Sequence, residues 1–137
     1  EDNAKNAKFW SIEEIKLTGK IDNKTFDTIR PFITVFGNNQ ININTAKLPV
    51  LASLVDMGET HAKNIINYRE SMPFEILEDV NSVPNIGGYG IKLKDQGHYS
   101  VKSSTFRITS TATVNEIKRI IESIMDTSMK IEFWKEI

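Results

Sequence analysis

The sequence contains no cysteine in its 137 residues. Disulfide bonds, thiolate nucleophiles and cysteine-ligated zinc sites are therefore excluded. No apolar run approaches the ~18 residues that a membrane-spanning helix needs. An excess of charge is missing too, because 17 lysines and arginines almost balance 18 aspartates and glutamates. A net charge near zero provides no general attraction to nucleic acid or to anionic membranes. The ordinary apolar and charged fractions predict a globular chain with a packed core.

Side-chain groupings typical of enzymes are also scarce. His61 and His98 lie far apart, and neither has a partner at metal-ligand spacing, so each is interpreted as a satisfied or solvated histidine. The acidic pairs Glu13–Glu14 and Glu78–Asp79 fall in predicted first turns of helices, where the helix dipole favours them; paired acids for catalysis are the alternative. We assign no catalytic and no cofactor-binding residue, leave any metal ligands unknown, and predict a protein that is not an enzyme.

Two parts of the chain repeat one pattern. Residues 9–22 align without a gap to residues 74–87, with an aromatic residue, an apolar residue three positions later, two acids and a further apolar residue in both. This pattern predicts two short helices, each followed by a hairpin turn. Ser11 and Glu14 predict a capping box in the first copy. Ile76 replaces the serine in the second copy, so that cap must be made differently.

The segment between the copies predicts a short strand and then two helices. Isoleucines alternate with asparagines at residues 41–44, which indicates an extended stretch. Apolar residues then recur at helical spacing on either side of a tight turn at residues 57–58. These positions are Leu51, Leu54 and Val55 before the turn, and Ala62, Ile65 and Ile66 after it, with Arg69 at the next position of this spacing. Residues 25–36 predict a partner helix for the first copy, stopped near Pro31.

The composition changes after about residue 97. Apolar and polar side chains alternate through residues 105–114 and again near Ile131 and Phe133, which predicts half-buried strands. Isoleucines at 117, 120, 121 and 124 have helical spacing, so the pattern alone favours a helix there. We predict an α+β chain with a helical domain at 1–97 and a mainly β part at 98–137. Trp10 and Trp134 are interpreted as buried packing residues, with an aromatic binding platform as the weaker alternative.

The predicted hairpins lack a feature that nucleic-acid binding requires. Helix-hairpin-helix units hold a phosphate with backbone N–H groups of a G-x-G turn, but here the triplets are at residues 20–22, 56–58 and 85–87, and none begins with glycine. Asp56 and Asn85 tolerate the left-handed conformation, so the turns can still form with Gly58 and Gly87. Asp56 would repel a phosphate. We therefore predict structural hairpins, and the glycine-rich residues 85–90 favour a turn over a phosphate-binding loop.

The stretch "ININTAKLPVLASL", followed by a hairpin and by "FEILEDVNSVPNIG", resembles the minor pseudopilin K family of type II secretion systems. The order of parts matches that family too, since "FWSIEEIKLTGKID" precedes the motif and "STFRITSTATVNEIKRIIESIMD" follows it. The structural motif that carries the resemblance comprises Ile41, Asn42, Asn44, Thr45 and Ala46, together with Asp56, Gly58, Asn85 and Gly87. Anchored DNA-uptake proteins with helix-hairpin-helix repeats share I-N-x-N-T-A, so a membrane-anchored DNA-binding protein is the alternative.

The resemblance implies a helical domain of helix-hairpin-helix (SAM-like) repeats, followed by a small antiparallel β-sheet of a pilin-like domain. Members have a leader that prepilin peptidase removes, an anchor helix and a periplasmic domain. This chain is then expected to be a periplasmic piece of an inner-membrane-anchored bacterial protein, anchored only through a helix that it lacks. The expected role is a tip subunit that initiates and limits pseudopilus assembly for protein secretion across the outer membrane. Expected partners are other minor pseudopilins, with the secretin or secreted substrates as further candidates and no nucleic acid.

Two further expectations come from the resemblance alone. Some members bind Ca²⁺ in the helical domain, so Ca²⁺ is a candidate ion here, although no ligand is assigned on this sequence. The family closes with a strand hairpin. Residues 105–114 and 117–125 are therefore predicted to be antiparallel strands that turn at Asn115 and Glu116, against the helical spacing of the isoleucines.

Overall fold

A computed structural model describes residues 7–137 of the chain, which divide into two compact units. One unit ends at Val35, and the other comprises Phe36–Ile137. The predicted α+β fold is confirmed, with short helices in both units and a three-stranded antiparallel sheet near the end of the chain. The first six residues of the predicted helical domain lie outside the described residues. The predicted domain boundary at residue 97 stays a prediction.

The first unit is a pair of short helices around one buried side chain. It contains a 3-10 helix at Ile12–Thr18, helix α1 at Asn23–Ile29 and a 3-10 turn at Arg30–Phe32. The α-helical bonding stops at Ile29 because Pro31 has no N–H to donate. Within this unit Phe26 is buried, and the ammonium of Lys16 lies 4.4 Å from the centre of its ring.

The two sequence repeats use the same acid to begin their helices. In the first copy the Glu14 carboxylate accepts the backbone N–H of Trp10 at 2.9 Å. In the second copy Asp79 accepts the N–H groups of Glu75 and Ile76 at 2.8 and 3.0 Å. Both helices, Ile12–Thr18 and Leu77–Ser82, are 3-10 helices. The acid therefore supplies the cap that both copies share, because it satisfies N–H groups that a helix start leaves free.

Two details of the first repeat were predicted wrongly. The Ser11 side chain makes no capping hydrogen bond, and the Glu14 carboxylate accepts the N–H of Trp10, one residue before the N-cap, so the predicted capping box does not form. Trp10 was expected to be buried, yet 80% of its surface is exposed. The helix that follows, Ile12–Thr18, contains no buried residue, so it does not provide an enclosed site for the tryptophan.

The helical part of the second unit packs around one core. It comprises helix α2 at Leu48–Ala52, helix α3 at Gly58–Ser71, the 3-10 helix Leu77–Ser82 and helix α4 at Tyr89–Gln96. The glycine-rich stretch is a turn only as far as Gly88, after which α4 begins. The core side chains come from all of these elements and from the residues just outside them: Ile43, Leu51, Leu54, Met57, Ala62, Ile65, Phe74, Val80, Val83, Ile86, Tyr89, Leu93 and Tyr99.

The two ends of this helical stretch are joined by a pair of short parallel strands. Strand β1 at Ile41–Asn42 pairs with strand β2 at Tyr99–Ser100. The N–H of Ile41 donates to the carbonyl of His98 at 2.9 Å, and the N–H of Ile43 donates to Ser100 at 2.8 Å. The chain therefore enters and leaves the helical part at neighbouring points.

The closing sheet has the strand order β3-β4-β5, with β3 at Thr105–Val114, β4 at Ile117–Asp126 and β5 at Ile131–Glu136. Asn115 and Glu116 form the first turn with φ of 46° and 67°. The strand prediction is confirmed and the helical interpretation of residues 117–125 is wrong. The isoleucines have helical spacing because β4 places isoleucine on both of its faces, at 117 and 121 on one and at 120 and 124 on the other.

Candidate functional site

The asparagine at the centre of the I-N-x-N-T-A motif connects three separate segments. The Asn44 amide nitrogen donates to the carbonyls of Phe74 at 2.8 Å and Val101 at 3.0 Å. Its amide oxygen accepts the N–H of Phe74 at 2.9 Å. A carboxamide suits this position because it offers donors and an acceptor together. Asn44 thus fastens the start of the second repeat and the segment after β2 to the motif.

The rest of the motif builds the turn that holds Asn44. The carbonyl of Asn42 accepts the N–H groups of Thr45 and Ala46 at 3.1 and 2.8 Å. The Asn42 side chain accepts the N–H of Asn44 at 2.9 Å and donates to the hydroxyl of Ser103 at 2.8 Å. The motif therefore serves as a folded connector, and the side chains of its two asparagines are engaged in bonds within the chain.

Arg69 completes the connector from helix α3. Its guanidinium donates to the carbonyls of Ile43 at 2.5 Å and Ala46 at 2.8 Å. Burial lowers the pKa of Arg69 below its usual range, and an arginine remains charged at neutral pH. In the sequence this residue stands at the end of an apolar helical face. The sequence did contain a signal for this role, because Arg69 follows Ile65 and Ile66 at helical spacing. A charged side chain on that side of the helix needs hydrogen-bond partners when it is buried.

The hairpins adopt left-handed backbone at polar residues as well as at glycine. Asp56 and Gly58 have φ of 59° and 63°, and Asn85 has φ of 63°. Gly87 is not left-handed, whereas its neighbour Gly88 has φ of 80°. In the first repeat the left-handed residue is Gly19, at the C-cap of the helix, so that turn begins one residue before the predicted triplet.

Close packing against the 3-10 helix Leu77–Ser82 requires a glycine at position 90. A Cβ on Gly90 would lie 2.6 Å from the Leu77 carbonyl oxygen and 3.0 Å from the Glu78 Cα, too near for any side chain. The Gly90 N–H donates to the Asn81 side chain at 2.9 Å. No sequence pattern singled out Gly90 or Asn81, although a glycine beside a turn is one signal of close backbone approach.

The charges beside the central hairpin are locally paired. Asp56 lies 3.8 Å from the ammonium of Lys92, and Glu59 lies 2.6 Å from that of Lys63. Next to them the hydroxyl of Tyr89 donates to the carbonyl of Val55. Burial raises the pKa of Tyr89 from its usual value of 10.0. The lysines here therefore already have carboxylate partners, which reduces what they could contribute to binding a phosphate.

The described part of the chain does not assemble a metal-binding group. Within residues 7–137 no three histidine, aspartate or glutamate side chains meet in an arrangement that could hold an ion. His61 has a buried Nδ1 with no hydrogen-bond partner in the same range. None of the described helices is both long and apolar enough to cross a membrane.

One face of the closing sheet is apolar and open. Residues paired directly across antiparallel strands share a face, and the register pairs Phe106 with Met125 and Val114 with Ile117. Seven large apolar side chains on this face are at least 38% exposed: Phe106, Ile108, Val114, Ile117, Ile121, Ile131 and Trp134. Met125 is half-buried, and the face also carries an ion pair, between Arg119 and Glu136. The prediction that Trp134 is buried is wrong, because it lies on this open face.

The opposite face of the sheet is more polar. Glu122 on the central strand lies 3.9 Å from Arg107 and 3.6 Å from Lys135 on the two outer strands. Ile124 is the buried apolar residue of this face, beside Phe133, whose ring lies 5.6 Å from that of Phe36. The two faces therefore differ in chemistry, and the large apolar surface belongs to one of them.

Comparison with known proteins shows similarity to a motif family and to proteins of type II secretion systems. The helix-hairpin-helix motif family matches residues 37–91. The chain is 24% identical over 123 residues to the type II secretion system protein K of Pseudomonas aeruginosa, covering 89% of this chain and 36% of the relative. The fold matches a chain in the crystal structure of the GspK-GspI-GspJ complex from the enterotoxigenic Escherichia coli type 2 secretion system. The TM-score is 0.66 at 18% identity, and the match covers 96% of this chain and 49% of that one. The chain thus spans about a third to a half of the length of these relatives.

Proposed function

We propose that this chain, a relative of the minor pseudopilin K of type II secretion systems as its sequence indicated, is part of a minor pseudopilin. The observation that carries the proposal is the similarity to a type II secretion system protein K along 89% of the chain. The fold match covers the helical part and the closing sheet together, with 96% of the chain aligned. A shared helix-hairpin-helix segment alone would not explain that coverage, because the motif occupies only residues 37–91.

The open apolar sheet face supports this proposal. A three-stranded sheet that exposes a row of isoleucine and aromatic side chains needs a cover, since exposed patches of this kind mark interfaces. In the proposed protein the cover is the preceding part of a pilin-like domain, into whose sheet the helical domain is inserted. The neighbouring positions of β1 and β2 fit an insertion, because both of its ends then join the host sheet from one side.

The proposed role is structural and takes place in the periplasm. The solved relative is a complex named for three proteins, GspK, GspI and GspJ. By analogy, the full-length protein would be anchored in the inner membrane and assemble with other minor pseudopilins at the pseudopilus tip, where it initiates and limits assembly. The motif residues act as connectors within the fold, which suits a subunit that presents surfaces and catalyses no reaction.

A second candidate is a membrane-anchored DNA-binding protein, which the helix-hairpin-helix match favours. Such a protein needs several lysines or arginines that neutralise phosphates together. Around the central hairpin the carboxylates of Asp56 and Glu59 pair with the two nearby lysines. Asp56 also occupies the left-handed position where a DNA-binding hairpin has glycine. These observations favour the pseudopilin over the DNA-binding protein.

The experiment that tests the proposal is mass spectrometry of the mature N-terminus of the full-length native protein. A short leader removed directly before an apolar helix, with an N-methylated first residue, is the expected result. A conventional secretory cleavage or an uncleaved anchor would refute the pseudopilin assignment. Salt-dependent DNA binding would then be the property to measure.

A further inference from the structure

A cleft lies between helix α3 and the second-repeat hairpin. Its volume is about 320 Å³, and its lining consists of Asn64, Asn67, Tyr68, Pro84 and Asn85. Pockets that bind ligands begin at about this size. The cleft is separate from the I-N-x-N-T-A connector and from the apolar sheet face. Neither the bonding of the connector nor a cover on the sheet therefore accounts for it.

The wall formed by α3 is held firmly in place. Residues 64, 67 and 68 share one side of the helix because they are three and four positions apart. The Tyr68 ring stacks on Phe74, with centroids 5.6 Å apart and an interplanar angle of 4°. Its hydroxyl contacts the sulfur of Met72 at 3.3 Å. The aromatic surface beside the cleft is therefore fixed before any ligand arrives.

The opposite wall is the hairpin, whose geometry depends on left-handed Asn85. Asn64 spans the cleft at one end, where its amide nitrogen donates to the carbonyl of Pro84 at 3.5 Å. This weak bond is at the outer limit of hydrogen-bond length. A ligand with a better acceptor could take the same donor.

The chemistry of the lining favours an uncharged ligand. None of the five lining residues is charged. Asn67 and Asn85 are exposed, and within the described range their side-chain amides make no hydrogen bond. Each free carboxamide offers a donor and an acceptor, which together match the C=O and N–H of a peptide group. Tyrosine and asparagine are both enriched in the binding loops of antibodies, where the ring supplies contact area and the amide supplies adaptable hydrogen bonds.

We propose that this cleft binds a short, extended, uncharged segment of a partner polypeptide. The carboxamides of Asn67 and Asn85 hydrogen-bond the main chain of that segment, while Tyr68 and Pro84 contact its side chains. Nucleic acid is disfavoured because no cation lines the cleft. The inference rests on the cleft alone, so its test does not depend on the pseudopilin assignment.

The test selects phage-displayed random peptides on the immobilised 137-residue chain. Selected peptides are then titrated into the labelled chain while amide chemical shifts are recorded. We expect uncharged peptides whose binding shifts the side-chain amide signals of Asn67 and Asn85. The double variant Asn67→Ala/Asn85→Gly should bind them at least about tenfold more weakly, equivalent to ~1.4 kcal/mol. Glycine at 85 keeps the left-handed turn, and Glu70→Gln on the same helix is the control that should bind like the native chain.

Several results would overturn the inference. These are selection of charged peptides only, shift changes confined to the sheet, or equal binding by the double variant. A further contrary result would be an N-acetylglucosamine oligosaccharide that shifts the same amides when no peptide does, since the site would then bind glycans. Thermal unfolding is followed for each variant. If the double variant is destabilised, the single change Asn67→Ala is used, because that side chain is exposed and makes no bond that folding needs.

Discussion

At the scale of single residues, polar side chains hold together parts of the chain that are far apart in sequence. Asn44 bonds to segments 30 and 57 residues away, and Arg69 bonds to carbonyls 26 and 23 residues away. A half-buried polar group that loses its partner leaves other groups unsatisfied, which costs more than the bond itself contributes. The I-N-x-N-T-A motif is thus explained by hydrogen-bond geometry within the fold.

Replacing Asn44 with alanine should lower the free energy of unfolding by about 3 kcal/mol, because it leaves the carbonyls and N–H that it serves without a partner. Urea unfolding followed by circular dichroism measures this change. Asn67→Ala is the matched control, since that exposed asparagine should be replaced at almost no cost to stability. A loss below about 1 kcal/mol for Asn44→Ala would show that water replaces the lost bonds.

At the scale of elements, the helices are short and owe their positions to caps, turns and close backbone contact. Helix α2 has five residues and α4 has eight, lengths that are not stable alone in water. Helix α4 approaches the 3-10 helix Leu77–Ser82 so closely that Gly90 has no room for a methyl group. The packing of these two elements therefore depends on one missing Cβ.

Gly90→Ala should destabilise the chain by roughly 1–3 kcal/mol, because the new methyl group overlaps the Leu77 carbonyl and forces the helices apart. Gly87→Ala provides a matched control three residues earlier. A Cβ at Gly87 meets nothing within 4 Å, and its backbone is not left-handed. Thermal unfolding of the two variants measures the difference. Equal melting temperatures would mean that the backbones separate without cost.

At the scale of the whole molecule, the second unit contains a helical part with a complete core and a sheet with little core of its own. Most core side chains come from the helices and the segments between them, whereas the closing strands contribute Ile124 to the buried apolar residues. A sheet with one apolar face in water is a feature of an interface. This imbalance agrees with a chain that spans only part of its relatives.

The open sheet face predicts that one substitution changes the stability of this chain and of the full-length protein by different amounts. Ile121→Ser should change the unfolding free energy of the 137-residue chain by no more than about 0.5 kcal/mol, as is usual for exposed positions. In the full-length protein, where we propose that the face is covered, the same change should cost about 2 kcal/mol or more. Denaturant unfolding of both proteins measures the two effects.

Lys118→Gln, on the opposite face of the same strand, is the control and should be neutral in both proteins. An equally small effect of Ile121→Ser in both would show that the preceding part of the protein leaves this face open.

Much of the fold could be predicted from local patterns, and the errors have identifiable causes. The shared acid of the two repeats was visible in the sequence. The strand at 117–125 was predicted only through a family resemblance, because isoleucine on both faces of a strand also has helical spacing. Both tryptophans were misplaced because hydrophobicity predicts a need for burial but does not say whether the partner surface is in the same chain.

The sequence by itself determined the two repeated short helices, the left-handed backbone of Asp56 and Asn85 and the absence of cysteine chemistry, because each depends on residue type or on neighbours along the chain. Only the tertiary structure decided that Asn44 and Arg69 fasten remote segments, that Gly90 must lack a side chain, and that three asparagines and a tyrosine line one cleft. These features depend on distances between residues that are separated by tens of positions. Such distances are decided by how the whole core packs, which no local pattern contains.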